Sequence, residues 1–118
     1  MSAIPPGPAG ALHAVLALGV EIAALVAAVR AGLALQGGGW AGWATGLVLM
    51  AAVIGAWALW GAPTSATRLT GTALLGFKGA VFLFAAGGFL IADGWGVAVI
   101  FAAVAILHVT LALALDAL

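Results

Sequence analysis

The sequence predicts an all-α fold, a four-helix transmembrane bundle, and three observations carry this prediction. Of the 118 residues, 67% are hydrophobic and only 5% are charged, whereas a soluble domain carries roughly 25% charged residues. The apolar residues fall into four runs, each close to the roughly 20 residues that span a bilayer. Short glycine- and proline-containing segments separate these runs. A chain of this length cannot bury so much apolar surface within itself, so the expected solvent is lipid.

The expected organisation is one membrane domain behind a short tail. Residues 1–11 are rich in proline and glycine and are predicted to form an N-terminal tail, because proline interrupts helices. Residues 12–118 are predicted to form a single four-helix membrane domain, with spans at residues 12–35, 40–60, 69–92 and 95–115. All connections are short, which predicts antiparallel neighbours in up-down-up-down order and both termini on the same side.

The predicted spans begin and end at helix-breaking residues and tryptophans. Gly37-Gly38-Gly39, Pro63 and Asp93-Gly94 separate consecutive runs. Indole rings are enriched at both membrane–water interfaces. The tryptophans near the span ends are therefore predicted interface anchors: Trp40, Trp43, Trp57, Trp60 and Trp95.

Small residues recur at four-residue spacing along the predicted helices. Such residues let helix backbones approach closely where lipid supplies no hydrophobic drive for association. The spacing therefore predicts close helix contacts at the following pairs: Ala24 with Ala28, Gly42 with Gly46, Ala51 with Gly55, and Ala98 with Ala102.

Composition argues against several classes of function. The net charge is zero, which gives no basic surface for nucleic acid, and the absence of cysteine excludes disulfides and thiolate zinc sites. No hydrolase, metalloprotease or phosphate-loop motif is present, so neither an enzyme nor a cofactor is expected. His13 is predicted at the interface, too shallow to share a metal or haem with His108 unless its helix is tilted. No metal site is therefore expected.

Three polar residues lie deep within the apolar runs: Glu21, Lys78 and His108. Counted from the predicted span ends at about 1.5 Å per residue, all three fall within about one helical turn in depth on the terminal side. Because a charge at membrane depth normally finds a partner, a buried Glu21–Lys78 ion pair with His108 beside it is the simplest hypothesis. The pair either fixes helix packing or forms a polar site for a proton, an ion or a small ligand; alternatively, the residues miss each other or extend their side chains toward the headgroups. Arg30 is expected to extend to the headgroups.

Short motifs spread over the chain after the tail carry a family resemblance: Glu21-Ile22-Ala23-Ala24-Leu25, Trp60-Gly61-Ala62-Pro63, Phe82 four residues after Lys78, and Phe101-Ala102 with Ile106-Leu107-His108. They resemble the YrdB-like proteins, small bacterial four-helix membrane proteins of unknown function. Lys78 stands where the family pattern has glutamate, and His108 where it tends to have asparagine. The resemblance implies a bacterial membrane protein, and these two departures leave any ion-binding role of the family open.

A second resemblance concerns the first span alone. Gly19-Val20-Glu21-Ile22 is similar to the glutamate segment of small multidrug resistance transporters, which exchange protons for cationic drugs. The chain has no tyrosine to line a cation pocket, and Lys78 would place a positive charge in it. Both features argue against this family.

Two functions remain open at this level. The first is a non-enzymatic structural or accessory membrane protein, possibly a subunit of a larger complex, in which the Glu21–Lys78 pair fixes helix packing. The alternative is a small oligomeric transporter that uses Glu21 as its proton- or ion-coupling carboxylate. The expected partners are the lipid bilayer and other membrane protein chains, and not nucleic acid. The expected location is the bacterial inner membrane, with cytoplasmic termini.

Overall fold

A computed structural model describes residues 7–118, and within them every regular element is an α-helix. The elements, in chain order, are α1 (Gly7–Gln36), α2 (Gly39–Trp60), α3 (Gly71–Asp93) and α4 (Trp95–Ala114). All four are long and apolar enough to cross a membrane. The predicted fold class, an all-α four-helix transmembrane bundle, is confirmed.

The first helix begins earlier than the sequence indicated. Residues 7–11, which the sequence predicts to be part of the tail, belong to α1, and residues 1–6 lie outside the described part of the chain. Pro8 is compatible with this start, because the first turn of a helix has no internal partner for the missing N–H. With 30 residues, α1 is about 45 Å long, so it exceeds the roughly 30 Å hydrocarbon core.

The third helix begins later than predicted, at Gly71 rather than Leu69. The Leu69 N–H donates to the Trp60 carbonyl at 2.9 Å, which holds Leu69 in the α2–α3 turn. Thr70 is extended, with φ −136° and ψ 161°. The helix therefore cannot extend back through these two residues.

The first helix is the centre of the bundle, because it contacts all three other helices whereas α2 scarcely touches α3. Helix α1 runs parallel to α3, with Ala27 beside Gly88, and antiparallel to α2, with Val29 beside Gly46. Helices α3 and α4 are antiparallel and connected through Gly94 alone. Their shared core with α1 is built of small and aromatic side chains: Val20, Ala24, Ala27, Ala85, Phe89, Ala98, Phe101 and Ala105.

The predicted small-residue contacts differ between the two halves of α2. Gly42 and Gly46 are buried against α1, and a Cβ built on Gly46 would lie 2.6 Å from the Val29 carbonyl oxygen. Ala51 and Gly55 are exposed, and nothing lies within 4 Å of a Cβ on Gly55. The prediction of a close contact at Ala51 and Gly55 is therefore wrong, because α2 diverges from its neighbours in this half.

Candidate intramembrane binding site

A cavity of about 270 Å³ lies where α2 diverges from α1 and α3. Its walls are mainly aliphatic and aromatic side chains of these three helices, and His108 of α4 also lines it. Among the lining residues are the three polar residues singled out in the sequence: Glu21, Lys78 and His108. A mainly apolar cavity with a few convergent polar groups is the usual form of a small-molecule site.

Glu21 and Lys78 face this cavity without contacting each other. Both side chains are partly buried, and both line the same cavity. Within residues 7–118, however, no hydrogen bond or salt bridge joins them, and the salt bridge between α1 and α3 is formed by another pair. The predicted direct ion pair is therefore wrong.

The register of α1 and α3 explains why this pair is apart. Contacts between these helices join residues 61 and 63 positions apart in sequence, Ala27 with Gly88 and Arg30 with Asp93. Glu21 and Lys78 are only 57 positions apart, a shortfall of four to six residues or roughly 6–9 Å along the axis. The depth count missed this offset because α1 begins five residues before the predicted span and α3 two residues after it.

His13 and His108 are stacked on one another, a contact that the sequence did not predict. Their ring centroids are 5.1 Å apart with an interplanar angle of 13°, and Phe82 meets His108 edge-on at 5.9 Å. His13 is 7% exposed and His108 1% exposed. The sequence predicts His13 to be too shallow to share a metal with His108 unless its helix is tilted, whereas the two rings are in contact, because α1 begins before His13 and His13 is buried in the bundle.

The histidine pair is a poor chelating site in this arrangement. The lone pair of an imidazole nitrogen lies in the ring plane, so two nearly parallel stacked rings cannot direct their lone pairs at one ion. Within the described residues, no three histidine, cysteine or acidic side chains are grouped to hold a metal. Neither Nδ1 atom has a hydrogen-bond partner among residues 7–118.

A salt bridge joins Arg30 of α1 to Asp93 at the end of α3. The Arg30 Nε donates to Oδ2 of Asp93 at 2.6 Å, and a guanidinium NH2 group donates to Oδ1. The sequence predicts only that Arg30 extends to the headgroups, and it did not predict this salt bridge. The sequence contained a feature that could have predicted this salt bridge. A basic residue near the end of α1 and an acidic residue at the end of α3 lie at the same end of two parallel helices.

Fold and site together define a small multi-pass membrane protein with an intramembrane cavity reached by three polar side chains. Residues 15–106 match the family described as Protein of unknown function (DUF2568), and the chain belongs to that family. The matched segment includes Glu21 and Lys78, while His13 and His108 lie outside it. No curated protein and no solved structure matches the chain. The resemblance to the YrdB-like proteins stays an expectation.

Proposed function

We propose that this chain is a non-enzymatic membrane protein that binds a small molecule in the cavity between α1, α2 and α3. The observation that carries the proposal is that Glu21 and Lys78, on different helices, both line this cavity without a salt bridge between them. A purely structural pair is expected to close, as Arg30 and Asp93 do on the same two helices.

The energetics of charge in a membrane support the same proposal. An ionised side chain at the centre of a spanning helix costs about 2.5–3.5 kcal/mol on insertion scales, so residues of this kind usually mark a functional site. The cost is lowest when opposite charges meet and hydrogen-bond. Glu21 and Lys78 do not make this contact. A ligand lying between them would supply the hydrogen-bonding partners that the two side chains lack.

The test is chemical modification by dicyclohexylcarbodiimide, a lipid-soluble reagent to which a protonated carboxyl group adds. The chain has three acidic side chains, Glu21, Asp93 and Asp116, so mass spectrometry assigns each product. In native membranes at acidic pH, where carboxylates take up protons, we expect Glu21 to be modified and Glu21→Gln to remove that product. Modification of Asp93 or Asp116 with Glu21 unmodified would overturn the proposal, because the cavity would then be closed to small lipid-soluble molecules.

A structural or accessory role within a larger complex is the second candidate. It is favoured by α2, which packs mainly on α1 and leaves large side chains such as Trp40 and Val48 exposed, at 84% and 68%. A partner chain, or a second copy that completes a proton- or ion-coupled transporter around Glu21, would cover this face. Chemical crosslinking in native membranes, followed by purification in mild detergent, tests this candidate. A chain that crosslinks to nothing would exclude it.

We further propose that the protein lies in the bacterial inner membrane with cytoplasmic termini. Arg68 lies in the α2–α3 connection, on the side of the termini, while Arg30 near the opposite side is neutralised by Asp93. Basic residues concentrate on the cytoplasmic side. Alkaline phosphatase fused after Leu118 is expected to be inactive and green fluorescent protein fluorescent, and the reverse result would contradict this orientation.

A further inference from the structure

The cavity is closed toward the terminal side of the bundle. There, the α2–α3 turn packs onto the cavity wall, and a Cβ on Gly61 would lie 2.8 Å from Trp57 and 3.1 Å from Phe77. On the α4 side, the stacked rings of His13 and His108 fill the space between α1 and α4. Entry from the terminal surface would require these side chains to move.

The opposite end is closed by backbone contact. A Cβ on Gly32 would overlap the backbone of Gly46, and a Cβ on Gly42 would lie 3.1 Å from the Leu33 Cα. Helices α1 and α2 therefore touch too closely in this half to leave a passage between them.

The remaining side of the cavity opens laterally. Its rim carries four exposed apolar side chains on α1 and α2, and α3 scarcely contacts α2 across the gap. In a helix that spans a membrane, an exposed apolar side chain contacts lipid. In a bilayer this opening would face the acyl chains, and its rim residues are Leu18, Ile22, Ile54 and Trp57.

The two charged groups inside set the chemistry of the occupant. An ionised Glu21 carboxylate only accepts hydrogen bonds, and a Lys78 ammonium only donates them. We infer that the cavity binds an uncharged amphiphile from the lipid phase, whose polar group donates to Glu21 and accepts from Lys78, as a primary amide does. This inference rests on the proposed function and names its ligand class.

Ligands of a single charge fit this arrangement poorly. A quaternary ammonium group would be repelled by Lys78 and would donate no hydrogen bond to Glu21. A carboxylate would be repelled by Glu21. The volume of about 270 Å³ is roughly nine times the share of one water molecule in the liquid. A polar headgroup and a few carbons fit inside, and the rest of an alkyl chain would leave through the lateral opening.

The experiment compares three probes with the same ten-carbon chain: decanamide, decanoate and decyltrimethylammonium. Each radiolabelled probe is titrated onto the full chain in nanodiscs, and binding is taken as the saturable excess over empty nanodiscs of the same lipids. Decanamide is expected to bind at least about tenfold more tightly than the other two, the effect of losing one hydrogen bond to a charged group.

Variants assign this preference to the two charged side chains. Glu21→Gln and Lys78→Met are each expected to weaken decanamide binding about tenfold or more. Asp93→Asn is the matched control, because it also removes one carboxylate but lies in the salt bridge outside the cavity, and it should leave binding unchanged. The comparison of headgroups needs only the wild-type chain, so it stands even where a variant fails to fold.

The outcomes separate this inference from the proposed function. Tighter saturable binding of decyltrimethylammonium or decanoate that depends on Glu21 would overturn the ligand class and leave the proposed function standing. Decanamide binding that survives both cavity substitutions would overturn the inference as well. Absence of saturable binding by all three probes would overturn it too, and the proposed function would then be decided by carbodiimide modification of Glu21 alone.

Discussion

The same two helices carry two pairs of opposite charge, and only one of them is closed. Arg30 and Asp93 form a bidentate salt bridge, while Glu21 and Lys78 lie apart on the walls of a cavity. The closed pair follows the register that the α1–α3 core imposes, and the open pair does not. Opposite charges on parallel helices therefore do not establish an ion pair, because side-chain register decides whether they meet.

The second helix shows the same contrast between a closed and an open half. Its early half touches α1 through Gly42 and Gly46, and its later half has open space around Gly55. The cavity lies beside this later half, whose Val53, Ile54 and Trp57 form part of its lining. Close packing of small residues in one half thus allows α2 to diverge and form a cavity wall in the other.

The largest effect on stability is expected in the half of α2 that packs closely against α1. Gly46→Leu would place a side chain against the Val29 carbonyl, which a Cβ alone would approach to 2.6 Å. The helices must separate to accept it, so we expect a loss of about 3 kcal/mol or more in unfolding free energy, the upper part of the range for overpacking. Titration with sodium dodecyl sulfate in mixed micelles, followed by circular dichroism, measures this loss.

Gly55→Leu is the matched control, because it makes the same chemical change in the open half of the same helix. Nothing lies within 4 Å of a Cβ at Gly55, so we expect the unfolding free energy to change by less than about 1 kcal/mol. If the two substitutions cost the same, α2 does not diverge from α1 and the cavity loses its wall.

A smaller effect of opposite sign is expected at the open charge pair. Replacing both charges with apolar residues, Glu21→Leu with Lys78→Met, should stabilise the bundle by about 1–4 kcal/mol, as found when buried ionic groups are exchanged for packed hydrophobic ones. The same double variant should lose saturable binding of decanamide. Stability gained with loss of a site is the usual sign of a functional residue.

The closed pair supplies the comparison for this experiment. A double-mutant cycle on Arg30→Met and Asp93→Asn should give a larger coupling free energy than the cycle on Glu21→Leu and Lys78→Met, because only the first pair is in contact. A larger coupling for Glu21 with Lys78 would show that these two side chains do meet, and the structural role of the pair would then be favoured.

Sequence reasoning found the four helices and three of the cavity side chains, because apolar run length and isolated polar residues are local properties. It could not find the register between helices. Depth counts for Glu21 and Lys78 started from predicted span ends, and the true starts at Gly7 and Gly71 shift the two residues in opposite directions. Because of this error of a few residues, the sequence predicted a salt bridge where the structure has a cavity, and it predicted His13 to be too shallow to share a metal with His108.

The smallest effect is expected at the histidine pair, whose two Nδ1 atoms have no hydrogen-bond partner among the described residues. The double variant His13→Phe with His108→Phe keeps a stacked aromatic pair, worth about 0.5–1.5 kcal/mol, and removes two buried Nδ1 atoms that lack hydrogen bonds within residues 7–118. Exchanging unpaired polar groups for apolar ones of similar shape is nearly neutral or stabilising. The unfolding free energy, measured by the same detergent titration, should therefore fall by no more than about 0.5 kcal/mol. A loss above about 1.5 kcal/mol would exceed what aromatic stacking supplies, and would show that the imidazoles bind a polar partner, so that the cavity wall is itself part of the site.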